Sequence, residues 1–213
     1  NEMLERLEAG AIRERRFVSD ASHELRSPLT RMRVGLEVDR DHPDTANLRA
    51  THEHLLDDVV GMQQLVEDLL VLAASDVDTP PAAEPLDLGD VVRDEVGRTS
   101  APDGVRIDTT DVADVGIDGE PRPLGRVVRN LLDNAVRHAA STVTVSLRAG
   151  GDGAVLVVSD DGPGIPVDER ERIFDRFHRL DEARTAGTGG TGLGLAIARS
   201  VVVRHGGTIT AGE

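Results

Sequence analysis

The chain contains no cysteine, no tryptophan and no tyrosine, and only three phenylalanines among its 213 residues. Without cysteine there is no disulfide framework and no thiolate site. Without large aromatics the core has to be aliphatic, valine and leucine above all. Positive charge is also scarce: 24 Lys and Arg stand against 39 Asp and Glu, a formal charge of −15. That balance argues against nonspecific binding to nucleic acid or anionic lipid, which need a basic face. A polyanionic ligand has to be held by local devices such as backbone N–H groups, a metal ion or single arginines. No apolar run is long enough to cross a bilayer and no signal peptide is visible. The chain starts at Asn1 and stops in "GGTITAGE", which reads as an unfinished strand, so a fragment of a longer protein is expected.

What is present falls into two halves. Residues 1–16 are polar and helix-prone. From Phe17 an apolar stripe runs through Ala21, Leu25, Leu29, Met32 and Leu36, in steps of three and four, the period of an amphipathic helix. "DRDHPDTAN" breaks it. A second stripe follows at Leu48, Leu55, Val59, Met62, Val66 and Leu69, with Leu72 or Ala73 after it. Two long helices and a short loop make an antiparallel hairpin, which cannot bury this much apolar surface alone; a second copy completes a four-helix bundle. His23 lies two residues from both Ala21 and Leu25, about 200° from the seam, and so is expected outside, where it is either an ordinary surface histidine or a functional one. Pro28 deprives the Glu24 carbonyl of its helical partner and predicts a kink one turn past His23–Glu24, either a shaped site or a tolerated irregularity.

"ASDVDTPPAAEP" reads as a boundary, giving a hairpin over 1–78, a linker over 79–86 and a second domain over 87–213. There the pattern is mixed: a helix over 88–98 capped by Asp87, strands at 105–110 and 115–118, a helix from Arg122 to Ala140, a hairpin of strands at 142–149 and 154–160, a short helix over 168–176 and a last one over 192–204. The polar, glycine-rich stretch "HRLDEARTAGTGGTG" suggests a mobile lid. On the helix "RPLGRVVRNLLDNAVRHAA", Asn130, Asn134, Arg137 and His138 share a polar face. Two asparagines one turn apart can offer carbonyl oxygens to Mg²⁺, and an arginine can meet phosphate; a solvated face is the plain alternative. In "VLVVSDDGPGIP", glycines let the backbone approach a flat ligand and Asp161 can accept from an exocyclic amine, though Asp-Gly-Pro-Gly is also an ordinary turn. "GTGGTGLGLA" leads glycines into a helix N-terminus, an anion-binding arrangement that matches neither the Rossmann fingerprint nor the P-loop.

Five stretches in this order resemble one family. "FVSDASHELRSPLT", "NLLDNAVRH", "DDGPGIP", "IFDRFHRLD" and "GTGGTGLGLA" are similar to the H, N, first glycine, F and second glycine boxes of the sensor histidine kinases of bacterial two-component systems. The resemblance implies a helical hairpin, a four-helix bundle as a homodimer, followed by an α+β two-layer sandwich of the GHKL ATP-binding type, here short of its final strand. It implies ATP and Mg²⁺ as cofactors. His23 becomes the phosphoacceptor, Glu24 the neighbouring carboxylate that orients it and takes its proton, and Ser27 a residue bearing on dephosphorylation of the partner. Asn134 is implied as the Mg²⁺ ligand, with Asn130, Arg137 and His138 along the phosphates. Asp161 is implied at the adenine amine, with Gly162 and Gly164 beside it, and Gly190, Thr191, Gly192, Leu193 and Gly194 in the closing loop. Phe174 and Phe177 are implied at the lid base or docked on the hairpin, with core packing as the plain alternative. The implied partner is a response-regulator receiver domain, and residues 1–16 resemble the end of a HAMP signalling helix. The implied location is the cytoplasmic portion of an inner-membrane protein, anchored by segments outside this chain. Ser27 stands where the family usually has Thr or Asn. An ATPase of the gyrase or chaperone sort has Glu at the position of Asn130, which cannot act as a base; a non-catalytic scaffold is the remaining alternative.

Overall fold

The computed structural model describes residues 2–44, 47–75, 83–151, 153–180 and 191–212, with side chains from Phe17 onward, except those of 74 and 75. The chain divides into two compact units, Asn1–Val71 and Leu72–Glu213.

The first unit is built on α1 (Glu2–Asp41) and α2 (Leu48–Ser75). Asn47 starts α2 by accepting the Ala50 N–H on its side chain. The helices run antiparallel: Arg31 reaches Asp58 at 2.5 Å, and Gly35 lies against the Thr51 methyl. The apolar stripes serve two faces. Phe17, Ala21, Leu25 and Met32 are half-buried, as are Leu55, Met62 and Leu69, whereas Leu29 (52% exposed), Leu36 (54%), Val59 (43%) and Val66 (44%) are open. α1 continues through Pro28 as one helix, so the proline does not end it.

The first strand of the second unit overlaps the end of the expected linker: β1 (Glu84–Asp87) pairs antiparallel with β3 (Gly116–Gly119). Pro85 tolerates this place because a two-stranded ribbon leaves each strand an open edge. α3 (Leu88–Arg98) follows, with Asp87 accepting the Gly89 N–H at 2.7 Å and the Val115 N–H at 3.1 Å. β2 (Arg106–Val112) lies parallel to β4 (Thr142–Gly150), which pairs antiparallel with β5 (Gly153–Asp160), giving the order β2-β4-β5. A parallel neighbour requires a crossover, and α4 (Pro121–His138) supplies it. One face of this sheet packs on α3 and α4 around Val92, Val128, Leu132, Val143, Val145 and Leu147, all nearly inaccessible and all aliphatic. Buried Glu95 of α3 accepts both Arg98 and a forked Arg129 of α4, which satisfies its charge.

α5 (Gly194–Arg204) packs on α4 and buries Ala196, Ile197, Ala198 and Val201. His205, at its end, fixes its own tautomer. Its Nδ1 faces the Val201 carbonyl at 2.8 Å, so it donates there, and its Nε2 accepts the Glu120 N–H at the start of α4. The expected helix over 168–176 is reduced to a 3-10 turn, Arg172–Phe174. Thr208–Gly212 is not in a strand, although the sequence reads as one.

Candidate functional site

α4 carries the polar face beside α5 and the end of β5. Asn130 is tied down: its Nδ2 donates to the Gly194 carbonyl at 2.9 Å, joining α4 to the start of α5. One turn on, Asn134 is half-buried, and its amide makes no hydrogen bond among the described residues. Its oxygen is therefore available to a ligand. Arg137 and His138 are exposed in the last turn of α4. Asp133, beside Asn134, has its carboxyl pushed up by burial, against the pull of Arg137 and Arg129.

The end of β5 corrects the expectation for Asp161. Its Oδ1 accepts the N–H groups of Ala140, Ser141 and Thr142 at 2.8, 2.9 and 3.0 Å, and its Oδ2 accepts the Ser141 hydroxyl at 2.6 Å. These bonds, the hydroxyl's first, hold its carboxyl far below the usual carboxylate range. The side chain is spent on the turn between α4 and β4. Its neighbour Asp160 is different. Asp160 pairs with Val143, so both point to the helix-covered face, after Ala154, Leu156 and Val158 on the same side of β5. Yet Asp160 is exposed, so this face opens at the strand end, and among the described residues its carboxylate accepts only the Gly162 N–H, at 3.0 Å. The sequence reading passed over Asp160; the alternation along "AVLVVSD" was the signal that could have found it.

The glycines have separate reasons. A Cβ on Gly162 would stand 2.2 Å from the His138 carbonyl oxygen, so only glycine lets the chain pass the end of α4. Gly164 has open space and a positive φ of 74°. Gly192 (φ 70°) lies against Phe177, whose N–H donates to the Gly192 carbonyl. Gly190 lies outside the described residues, as does most of the expected lid, 181–190. Thr191 and Gly192 are half-buried ahead of α5, and among the described residues no side chain caps that helix. Leu193 is fully buried, so only its backbone can face a ligand. Phe174 is in the core, with the Arg199 guanidinium 5.8 Å above its ring.

In the other unit His23 is exposed and its imidazole has no partner among the described residues. Glu24 is half-buried beside it, and the Ser27 hydroxyl points back to the His23 carbonyl at 3.4 Å.

Comparison with known proteins gives each half a counterpart. Residues 13–77 match the His Kinase A (phospho-acceptor) domain, and residues 119–213 match the histidine kinase-, DNA gyrase B- and HSP90-like ATPase family. The solved structure of the mycobacterial sensor histidine kinase MprB is 35% identical and matches over 61% of this chain and 84% of that one, with a TM-score of 0.54. The chain belongs to the sensor histidine kinases. Among curated members of this kinase family, the sensor protein IrlS of Burkholderia pseudomallei is 38% identical over 98% of this chain and 46% of its own length. The kinase/phosphatase MprB of Mycolicibacterium smegmatis is 37% identical over 100% and 45%. This kinase chain thus spans about half the length of the curated relatives it matches. The Acinetobacter baumannii histidine kinase AdeS, 24% identical with a TM-score of 0.64 over 85% of this chain and 86% of that one, shares the fold.

Proposed function

We propose that the chain is the catalytic core of a two-component sensor kinase. It phosphorylates itself on His23 with ATP and passes the phosphoryl group to an aspartate of a response-regulator receiver domain. The observation that carries the reading is the outward imidazole of His23, which has no partner among the described residues, in a chain whose other unit has, among the described residues, an unbonded Asn134 amide and no side-chain cap on α5. A nitrogen of neutral His23 attacks the γ-phosphorus, the bond to the β-phosphate oxygen breaks, and ADP leaves. The imidazole proton goes to Glu24, its sequence neighbour.

The residues fit a nucleotide with a hard cation. Asn134 offers an uncommitted amide oxygen, and Mg²⁺ there supplies neutralisation of phosphate charge. Arg137 and His138 lie along the phosphates, and the N-terminal N–H groups of α5 face their negative charge. Asp160 accepts from the adenine amine, in place of Asp161, and Gly162 and Gly164 keep that edge of the site open. Two copies join through the open stripe of the hairpin, and in the parent protein the unit works as the cytoplasmic portion of a membrane-anchored sensor.

Incubation with γ-labelled ATP and Mg²⁺ is expected to give acid-labile, alkali-stable label that His23→Gln abolishes. ATP turnover that survives His23→Gln with no label on wild type would instead mark a hydrolase, and nucleotide binding without label or turnover a scaffold. Dephosphorylation of the partner is expected to be slower with Ser27 than with Ser27→Thr, because serine lacks the methyl group that restricts the rotamer. Equal rates in a phosphatase assay would refute that role.

A further inference from the structure

The proposed chemistry leaves Asp161 without a part, although its carboxylate takes four hydrogen bonds. Three consecutive N–H groups converge on one oxygen, directly after α4 ends. An exposed turn has no need of this, since water can satisfy its N–H groups. What distinguishes the place is what it joins. On one side are the last turns of α4, with Asn134, Arg137 and His138. On the other is the end of β5, with Asp160. The Asp161 N–H also donates back to the Thr142 carbonyl at 3.2 Å, and Gly162 rests on the His138 carbonyl.

We infer that Asp161 is a positioning residue that locks the turn at Ala140–Thr142 to the end of β5 and thereby sets the spacing between Asn134 and Asp160. This rests on the nucleotide reading above. One anion gathers the three N–H groups, so α4 cannot slide along the sheet or turn about its axis without losing several charge-assisted bonds together. Asn134 and Asp160 face opposite ends of one ligand, so a fixed distance between them spares part of the ordering cost of binding.

Full-chain Asp161→Ala, Asp161→Asn, Ser141→Ala and Asp160→Asn are compared with wild type by amide hydrogen exchange at residues 140–142 without nucleotide, and by ADP binding. Asp161→Ala is expected to speed exchange at those amides, and to weaken ADP, by roughly tenfold each, the worth of about one hydrogen bond to a charged group. Asp161→Asn keeps an oxygen for the three N–H groups and an amide that can donate to the Ser141 hydroxyl, so both readouts return to within about threefold of wild type. Ser141→Ala moves both in the same direction by a smaller factor and serves where Asp161→Ala does not fold. Asp160→Asn weakens ADP with exchange at 140–142 unchanged. Unchanged exchange in Asp161→Ala and Ser141→Ala overturns the lock, and faster exchange with unchanged ADP affinity overturns the positioning role. Wild type that binds no ADP refutes the nucleotide reading, and the positioning role with it, while the exchange data still report on the lock.

Discussion

Two adjacent aspartates at the end of β5 show how little of a side chain's role its residue type decides. Asp160 follows the strand's inward alternation into an opening of the site; Asp161 turns away and is consumed by backbone. Asp161 carries a consequence for acid stability. Its folded value is lowered, chiefly by the Ser141 hydroxyl and then by the N–H groups of Thr142, Ser141 and Ala140. A lowered carboxyl contributes stability in full above the unfolded aspartate value, about 3.9, and loses it as pH falls from there toward the folded value. Wild type is therefore expected to exceed Asp161→Asn in urea midpoint at pH 7, and the gap is expected to narrow below about pH 4. A gap that stays constant across that range would disconnect Asp161's ionisation from folding. The faces of His23, Asn130 and Asn134 could be read from the sequence because helical phase assigns them, whereas the roles proposed for them came with the family resemblance. Asp161's role could not be read from the sequence, since it depends on where a turn twenty residues earlier in the chain comes to lie.

The elements were legible where a period or a cap announces them. The spacing on α4 and the Asp87 cap gave helices within a residue or two of those found, and alternation with a glycine-rich turn gave the β4–β5 hairpin. β1 was hidden because four residues containing a proline show no alternation, and its pairing with β3 joins positions 29 to 35 residues apart. "RERIFDRF" carries helix-like spacing yet forms only a 3-10 turn, because Phe174 is drawn into the core beneath Arg199. Gly162 is where two elements meet at backbone distance. A methyl group there would collide with the His138 carbonyl, which cannot move without disturbing the end of α4. Gly162→Ala is thus expected to cost about 1–3 kcal/mol by chemical denaturation, the usual range for overpacking, and to weaken ADP as well. Stability and affinity both at wild-type level would show that α4 and β5 can separate without loss.

For the whole molecule, the proposed phosphoacceptor His23 belongs to one unit and the residues proposed to hold nucleotide belong to the other. Every described residue of the candidate nucleotide site lies between Asn130 and Gly194, within Leu72–Glu213, and its hydrogen bonds close inside that unit. The hairpin's unmet demand is of another kind. Leu29 and Leu36 on α1, and Val59 and Val66 on α2, recur at seven-residue spacing and remain open after α1 and α2 have packed together. Covering such side chains yields about 1.5–3 kcal/mol each when complete, so a second copy presenting the same face can outweigh the cost of association. Leu36→Asp combined with Val59→Asp is expected to shift the protein from dimer to monomer in sedimentation velocity, because a carboxylate facing its symmetry mate is both desolvated and repelled. ADP affinity is expected to stay at the wild-type level, since neither residue belongs to the unit that holds the candidate site. A variant that stays dimeric would place the interface elsewhere, and one that loses ADP binding together with dimerisation would show that the nucleotide site needs the assembled hairpin.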